Sequence, residues 1–315
     1  MLEWKEFDRI RGWMLRNARP IDLARWKYHF EEGSIHDVMT CLGTYQNSDG
    51  GFGNALEADS WNPFSTPVQT AAAIGILKES GFQDRRDGLV NAILSYLESE
   101  SGFREGRWEN VAMSNDSYPH APWWSYDSGS AERERFNPTA TLTGFILVFA
   151  DRNSDLFKKA LALADDLLRE FLSNPKIDMH PLICVLDLLE DISRARVESR
   201  LKYAEAFKAF NERSVELILS DNDKWGGYCT YPSHFVKSRG DEVDRGIGDL
   251  SLKEAEWLAK NRNKDGVWDI SWKWDKYPKE FAISENWWKG SLAVRNCMFL
   301  RAMGQIEGLR TRERI

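Results

Sequence analysis

The sequence predicts an all-α protein assembled from stacked helical hairpins. Three observations lead there. Apolar residues recur at intervals of three and four through most of the chain, and no stretch alternates as a half-buried strand does. Helix-start and helix-stop residues punctuate it, above all Thr66-Pro67 followed by Gly81. A turn of polar residues, glycine and an aromatic also recurs between apolar segments: QNSDGGFG at 46–53, ESGFREGRW at 100–108, DNDKWGGY at 221–228 and NKDGVW at 263–268.

Taken in order, residues 4–18 place Trp4, Phe7, Ile10 and Met14 on one face, and Pro20 ends that segment. Asp22 is expected to cap a short helix carrying Leu23, Trp26 and Phe30. Ser34 and Asp37 form a capping-box-like pair before Ile35, Val38, Met39, Leu42 and Tyr45. Thr66-Pro67 opens a helix through VQTAAAIGILKES, which Gly81 closes; residues 86–98 then turn Leu89, Val90, Ile93, Leu94 and Leu97 inward. Asn137-Pro138 repeats the cap-plus-proline signal before TATLTGFILVFA. Residues 154–172 and 179–192 are helical, 196–219 reads as one helix or two, and 249–262 and 286–305 bring the set to about a dozen. The charged tail LRTRERI, which closes the chain at 315, is expected to fray.

No linker rich in glycine, serine or proline divides the chain, so a single domain of 315 residues is expected. Hydrophobic residues are 42% of it, enough for a large core, and charged residues 29%. A net charge of -7 and a pI near 5.5 argue against a nucleic-acid or anionic-membrane partner, since both need a basic face. Cysteines at 41, 184, 229 and 297 lack the spacing of a zinc site or redox pair and read as buried thiols. The N-terminus MLEWKEFDRIRGWML lacks a signal peptide's apolar core, and no run is long and uncharged enough to span a membrane, so a cytoplasmic protein is expected. Fourteen tryptophans are unusual, and many stand in glycine- and proline-containing connections instead of on helix faces.

The recurring turn has a physical logic. Aspartate and glycine end one helix tightly, glycine taking a positive φ, and the aromatic folds back to plug the gap between hairpins. Each unit leaves one apolar face open, and stacking around a ring closes it; six hairpins would use twelve helices. Gln46, Asp49, Gly50, Gly51, Phe52 and Gly53 resemble the glutamine–tryptophan repeat of the terpenoid cyclase and protein prenyltransferase superfamily, with Phe52 in the aromatic place. Asn263, Asp265, Gly266 and Trp268 echo it without the glutamine. The resemblance implies an α/α toroid of about six helical hairpins, with a prenyl or terpenoid substrate in a central aromatic-lined cavity. The superfamily's acid motifs are missing. There is no D-x-D-D run, Arg169 stands where DDLLRE would need its last acid, and no histidine lies near a cysteine in a zinc-like context. No cofactor and no metal are called for.

Three long connections, 47–65, 100–136 and 269–286, combine acids with aromatics. The candidate catalytic residues are Glu57, Asp59 and Asp127; the candidate substrate contacts are Trp61, His120, Trp123, Trp124, Tyr126, Trp274 and Trp287. Two chemistries suit such a set. Aromatic faces stack on sugars while carboxyl groups act as acid and base or nucleophile. Alternatively they stabilise a carbocation while one carboxyl group protonates the substrate. Desolvation beside tryptophan favours the acid role in both.

Plainer roles compete. Asp49 and Asp265 belong to turns, and Asp59 suits a turn cap before Trp61-Asn62-Pro63. His120, Trp123 and Trp124 suit packing, and Trp287-Trp288 open a helix on which only one can face a cavity. Three function classes stay open: a prenyl or terpenoid enzyme, a carbohydrate-active toroid (glycoside hydrolase or lyase), and a non-catalytic binding or scaffold protein.

Overall fold

The structure is a computed structural model that describes residues 1–126 and 135–309. Among these are twelve α-helices: α1 (Trp4–Asn17), α2 (Pro20–Phe30), α3 (Ile35–Gly43), α4 (Pro67–Glu79), α5 (Gly88–Glu98), α6 (Thr139–Phe149), α7 (Asp155–Ser173), α8 (Met179–Ala195), α9 (Tyr203–Asp221), α10 (Glu242–Gly246), α11 (Leu250–Lys260) and α12 (Pro278–Ala302). The all-α class follows. The charged tail expected to fray lies mostly outside the described residues.

The local signals explain most helix ends. Ser34 and Asp37 cap each other reciprocally, Asp37 N–H donating to Ser34 Oγ and Ser34 N–H to Asp37 Oδ2, both at 3.1 Å. Thr66 Oγ1 accepts from Gln69 N–H, and Gly81 ends α4 at φ +67°. Residues 196–219 resolve into a short 3-10 turn, Glu198–Arg200, and the single helix α9.

Four expectations are corrected. Pro20, not Asp22, opens α2, because proline suits the first helical position; Asp22 lies buried between the guanidinium groups of Arg19 and Arg25, at 2.7 and 2.8 Å. Pro138 precedes α6 and does not open it. Pro278 opens α12, so the third long connection shrinks to 269–277, and Trp287 and Trp288 stand mid-helix. A strand pair does exist: Phe103–Arg104 pairs antiparallel with Arg107–Trp108 around Glu105 and Gly106. Both turn residues have positive φ, 50° and 80°, the backbone that a two-residue hairpin needs.

The chain divides into two compact units. One holds Met1–Cys41, Ser214–Lys273 and Pro278–Ile315. In it α12 packs against α2, α1 and α11. Phe7 stacks on Trp26 at 5.2 Å, Phe30 closes the cluster at 4.6 Å from Trp26, and the Arg301 guanidinium lies 4.9 Å over Phe30.

The other unit holds Leu42–Arg213 and Trp274–Tyr277. Its centre is α6, whose every residue is buried against α8, α7, α4 and α5. The composition TATLTGFILVF is apolar on all sides, as a fully surrounded helix must be. Gly144 lets Asp191 approach α6, for a Cβ there would sit 2.7 Å from Asp191 Oδ2. Beside it Lys78 Nζ lies 3.0 Å from Asp187 and 3.1 Å from Asp191, while Thr141 Oγ1 donates to Asp187 at 2.9 Å.

Two of the four recurring turns share one geometry. Asn47 N–H donates to Gly51 O at 2.9 Å and Gly50 N–H to Asn47 O at 3.0 Å; Asn263 N–H donates to Val267 O at 2.7 Å and Gly266 N–H to Asn263 O at 2.9 Å. Gly50 and Gly266 take φ of +89° and +95°, and Phe52 and Trp268 are buried. Gln46 Nε2 staples the first turn to the next hairpin, donating to Gly50 O at 3.0 Å and to Leu89 O at 3.1 Å. The other two depart. Residues 100–108 make the strand pair, and at 221–228 Tyr228 stands 67% exposed while Trp225 is half-buried, 6.4 Å from Trp257.

Candidate functional site

The site is built in the second unit from two irregular stretches that run antiparallel. Ser60 bridges His120, Trp61 N–H donates to Pro119 O at 2.9 Å, and Ala121 N–H donates to Asp59 O at 2.9 Å. This pairing sets Glu57 and Asp59 against the segment carrying His120, Trp123 and Trp124. Buried amides hold its base. Asn62 Nδ2 donates to Ser114 Oγ at 2.7 Å and to Asn115 Oδ1 at 2.8 Å, and Gln69 Nε2 donates to Asn62 O at 3.0 Å.

Each loop acid accepts an indole N–H. Trp124 Nε1 donates to Glu57 Oε1 at 3.1 Å, and Trp274 Nε1 donates to Asp59 Oδ1 at 2.9 Å. The two differ in access. Asp59 is 2% exposed, whereas Glu57 is half-buried. At the turn Trp61-Asn62-Pro63, Asn62 Oδ1 accepts from Phe64 N–H at 3.0 Å.

His120 is buried, with Nδ1 2.6 Å from Tyr118 O and Nε2 2.9 Å from Ser125 Oγ. A carbonyl oxygen only accepts, so Nδ1 donates to Tyr118 O; a hydroxyl both donates and accepts, so Ser125 can meet Nε2 in either role. The Tyr277 ring lies 6.1 Å from the imidazole. Asp116 Oδ1, 3.8 Å from His120 Nε2, accepts from Tyr126 N–H at 2.9 Å. The Asp116 side chain is 49% exposed, a reachable carboxylate of the same long connection outside the candidate catalytic set. Asn115 beside it donates through Nδ2 to Trp124 O at 3.1 Å, linking it to the tryptophan that holds Glu57.

The nominated residues therefore separate. Glu57, Asp59, Trp61, His120, Trp123, Trp124, Tyr126 and Trp274 all belong to this unit, Trp123 standing 46% exposed. Trp287 belongs to the other unit, where the Arg19 guanidinium lies 5.4 Å from its ring centroid. Asp127 lies outside the described residues. A cavity of about 150 Å³ between Arg107, Arg135, Leu163 and Glu170, and one of about 450 Å³ bounded by Leu186, Leu189, Tyr203 and Phe207, include none of the nominated residues.

Among the described residues no three histidine, cysteine, aspartate or glutamate side chains gather as a cation site, and no helix is long and apolar enough to cross a membrane. Cys41, Cys184, Cys229 and Cys297 are free thiols; Cys41 is half-buried and the others buried, and burial pushes the Cys297 thiol well above its usual range. Comparison with known protein families, with curated proteins and with solved structures finds no match to this chain.

Proposed function

We propose that the chain is an α/α toroid enzyme that cleaves carbohydrate, a glycoside hydrolase or lyase, with Glu57 the carboxyl group that meets the substrate. The observation that carries this reading is the polar character of the site. A half-buried carboxylate is held by the Trp124 indole at 3.1 Å among amides, a serine and a histidine, with Trp123 exposed beside it. Prenyl chemistry needs an apolar lining; a sugar site needs hydrogen-bonding groups with a flat aromatic face within reach.

In a hydrolysis, Glu57 in its acid form protonates the departing glycosidic oxygen as the bond to the anomeric carbon breaks. A second carboxylate takes the proton of the water that attacks that carbon, and Asp116 is the reachable candidate. Asp59, shut in beneath Trp274, acts as a positioning residue. Closure into a toroid is part of this proposal; the shared geometry of the turns at 46–53 and 263–268 supports it.

The same shared geometry favours a second reading. It strengthens the resemblance to the terpenoid cyclase and prenyltransferase superfamily, and with it a prenyl or terpenoid substrate. Thermal-shift screening separates the two. Oligosaccharides are expected to raise the melting temperature and prenyl diphosphates to leave it unchanged; stabilisation by prenyl diphosphates alone reverses the order.

A further inference from the structure

Outside the acids, at the far end of the paired stretches, an exposed aromatic ring meets a half-buried one. Phe64 is 59% exposed and meets Tyr118 edge-on, with ring centroids 6.0 Å apart and an interplanar angle of 71°. More than half of the Phe64 residue faces solvent, yet the backbone around it is held in place. Phe64 N–H donates to Asn62 Oδ1 at 3.0 Å and Asn47 Nδ2 donates to Pro63 O at 3.0 Å. Gly53 lies so close beneath that a Cβ would overlap the Pro63 carbonyl. Buried amides, costly to desolvate unless fully bonded, thus anchor an exposed apolar ring.

We infer that Phe64 and Tyr118 form an outer aromatic subsite, which stacks on a sugar ring of an extended carbohydrate chain whose reacting bond lies at Glu57. The inference rests on the carbohydrate reading and adds the length of the substrate to it. The antiparallel run from Asp59 and Ala121 to Trp61 and Pro119 leads from Asp59 toward Tyr118. At a strand-like rise per residue Tyr118 lies roughly 10 Å along it from Ala121, which pairs with Asp59 two positions past Glu57. A perpendicular ring pair leaves an open face that the apolar C–H face of a sugar ring can cover. Met113, next to the Ser114 that bonds Asn62, is also exposed, at 65%.

The test is calorimetric titration of the full chain with cello-, xylo-, chito- and galacturono-oligosaccharides of two to six units. The wild type and the Phe64→Ala and Tyr118→Ala variants are each checked for an unchanged melting temperature. For the series that binds, wild-type affinity is expected to rise roughly tenfold between two and six units. Phe64→Ala should remove that gain and leave the two-unit affinity in place. Wild-type affinity for the longer chains in Phe64→Ala overturns the subsite while the carbohydrate reading stands. Binding of no series overturns the carbohydrate reading itself. A chain that dimerises in solution and becomes monomeric on Phe64→Ala assigns the rings to self-association and also overturns the subsite.

Discussion

The indole N–H of Trp274 donates to the carboxylate of Asp59 at 2.9 Å, across 215 positions of sequence, and both side chains are buried. A charged acceptor in so dry a place depends on its donors. Trp274→Phe keeps an aromatic ring and removes this one. The loss is expected to be about 1–3 kcal/mol by urea unfolding, against roughly 0.5 kcal/mol or less for Trp123→Ala, whose side chain is 46% exposed. Equal effects would show that the bond to Asp59 is not what makes Trp274 matter.

The Lys78 cluster is a buried ion network joining α4 to α8. Burial works against the lysine's charge, yet Asp187, Asp191 and Glu190 together outweigh it and hold the ammonium above its ordinary range. Burial pushes the Asp191 carboxyl up, while Lys78 and Arg194 pull it back. Both shifts are upward, which favours the charged lysine but the neutral Asp191; the 3.1 Å contact favours the ion pair. Lys78→Met would take the lysine away from the Asp187, Glu190 and Asp191 carboxylates and is expected to cost about 3–5 kcal/mol. Adding Asp191→Asn should recover part of that loss in the same unfolding experiment, as coupled sites do.

Gly50 and Gly81 both take a positive φ, but for different reasons. Gly81 has open space around it, so Gly81→Ala is expected to cost about 1 kcal/mol from backbone strain alone. A Cβ on Gly50 would overlap the Ala92 carbonyl of α5, so Gly50→Ala should lose several times as much, or yield no folded protein. Comparable melting temperatures for the two variants would contradict the role of the 46–53 turn as a staple between hairpins.

Glu254 in α11 is fully buried and accepts from Ser233 N–H at 2.8 Å and Ser233 Oγ at 2.5 Å. Burial pushes its carboxyl up to about 8 from 4.5, against the Ser233 bonds and the charge of Arg295. Between these values the folded chain keeps a proton that the unfolded chain has released. Stability is therefore greatest at or below pH 4.5 as far as this group is concerned, and falls as pH rises toward 8, by roughly 1 kcal/mol for each pH unit. Glu254→Gln should flatten that slope and raise the melting temperature at pH 8. An unaltered slope would assign the pH dependence elsewhere.

The sequence made legible what local chemistry controls. Asp49 was readable as a turn residue, and its Oδ1 accepts from Gly51 N–H at 3.0 Å and Ser65 Oγ at 2.6 Å. Thr66 and the Ser34–Asp37 pair announced their helices because a cap bonds within three residues. The loop acids and tryptophans could be nominated as a group, since charge beside aromatics in long connections is visible in composition. Their pairing could not be read, because nothing local links Trp124 to Glu57 or Trp274 to Asp59. Asp116 was visible as one acid of the connection 100–136, but nothing local set it apart from Asp127 as the one to choose. Trp287 was read at a helix start because Pro278, which opens α12, was counted within the connection 269–286.

The central claim is that Glu57 performs chemistry and does not serve the fold. It is tested most directly by product analysis of an oligosaccharide that the wild type binds, incubated with wild type and with Glu57→Gln, whose amide oxygen can still accept from the Trp124 indole. The wild type should release shorter sugars and Glu57→Gln should release none, at a nearly unchanged melting temperature. Undiminished cleavage by Glu57→Gln, or an intact substrate with the wild type, would contradict the account.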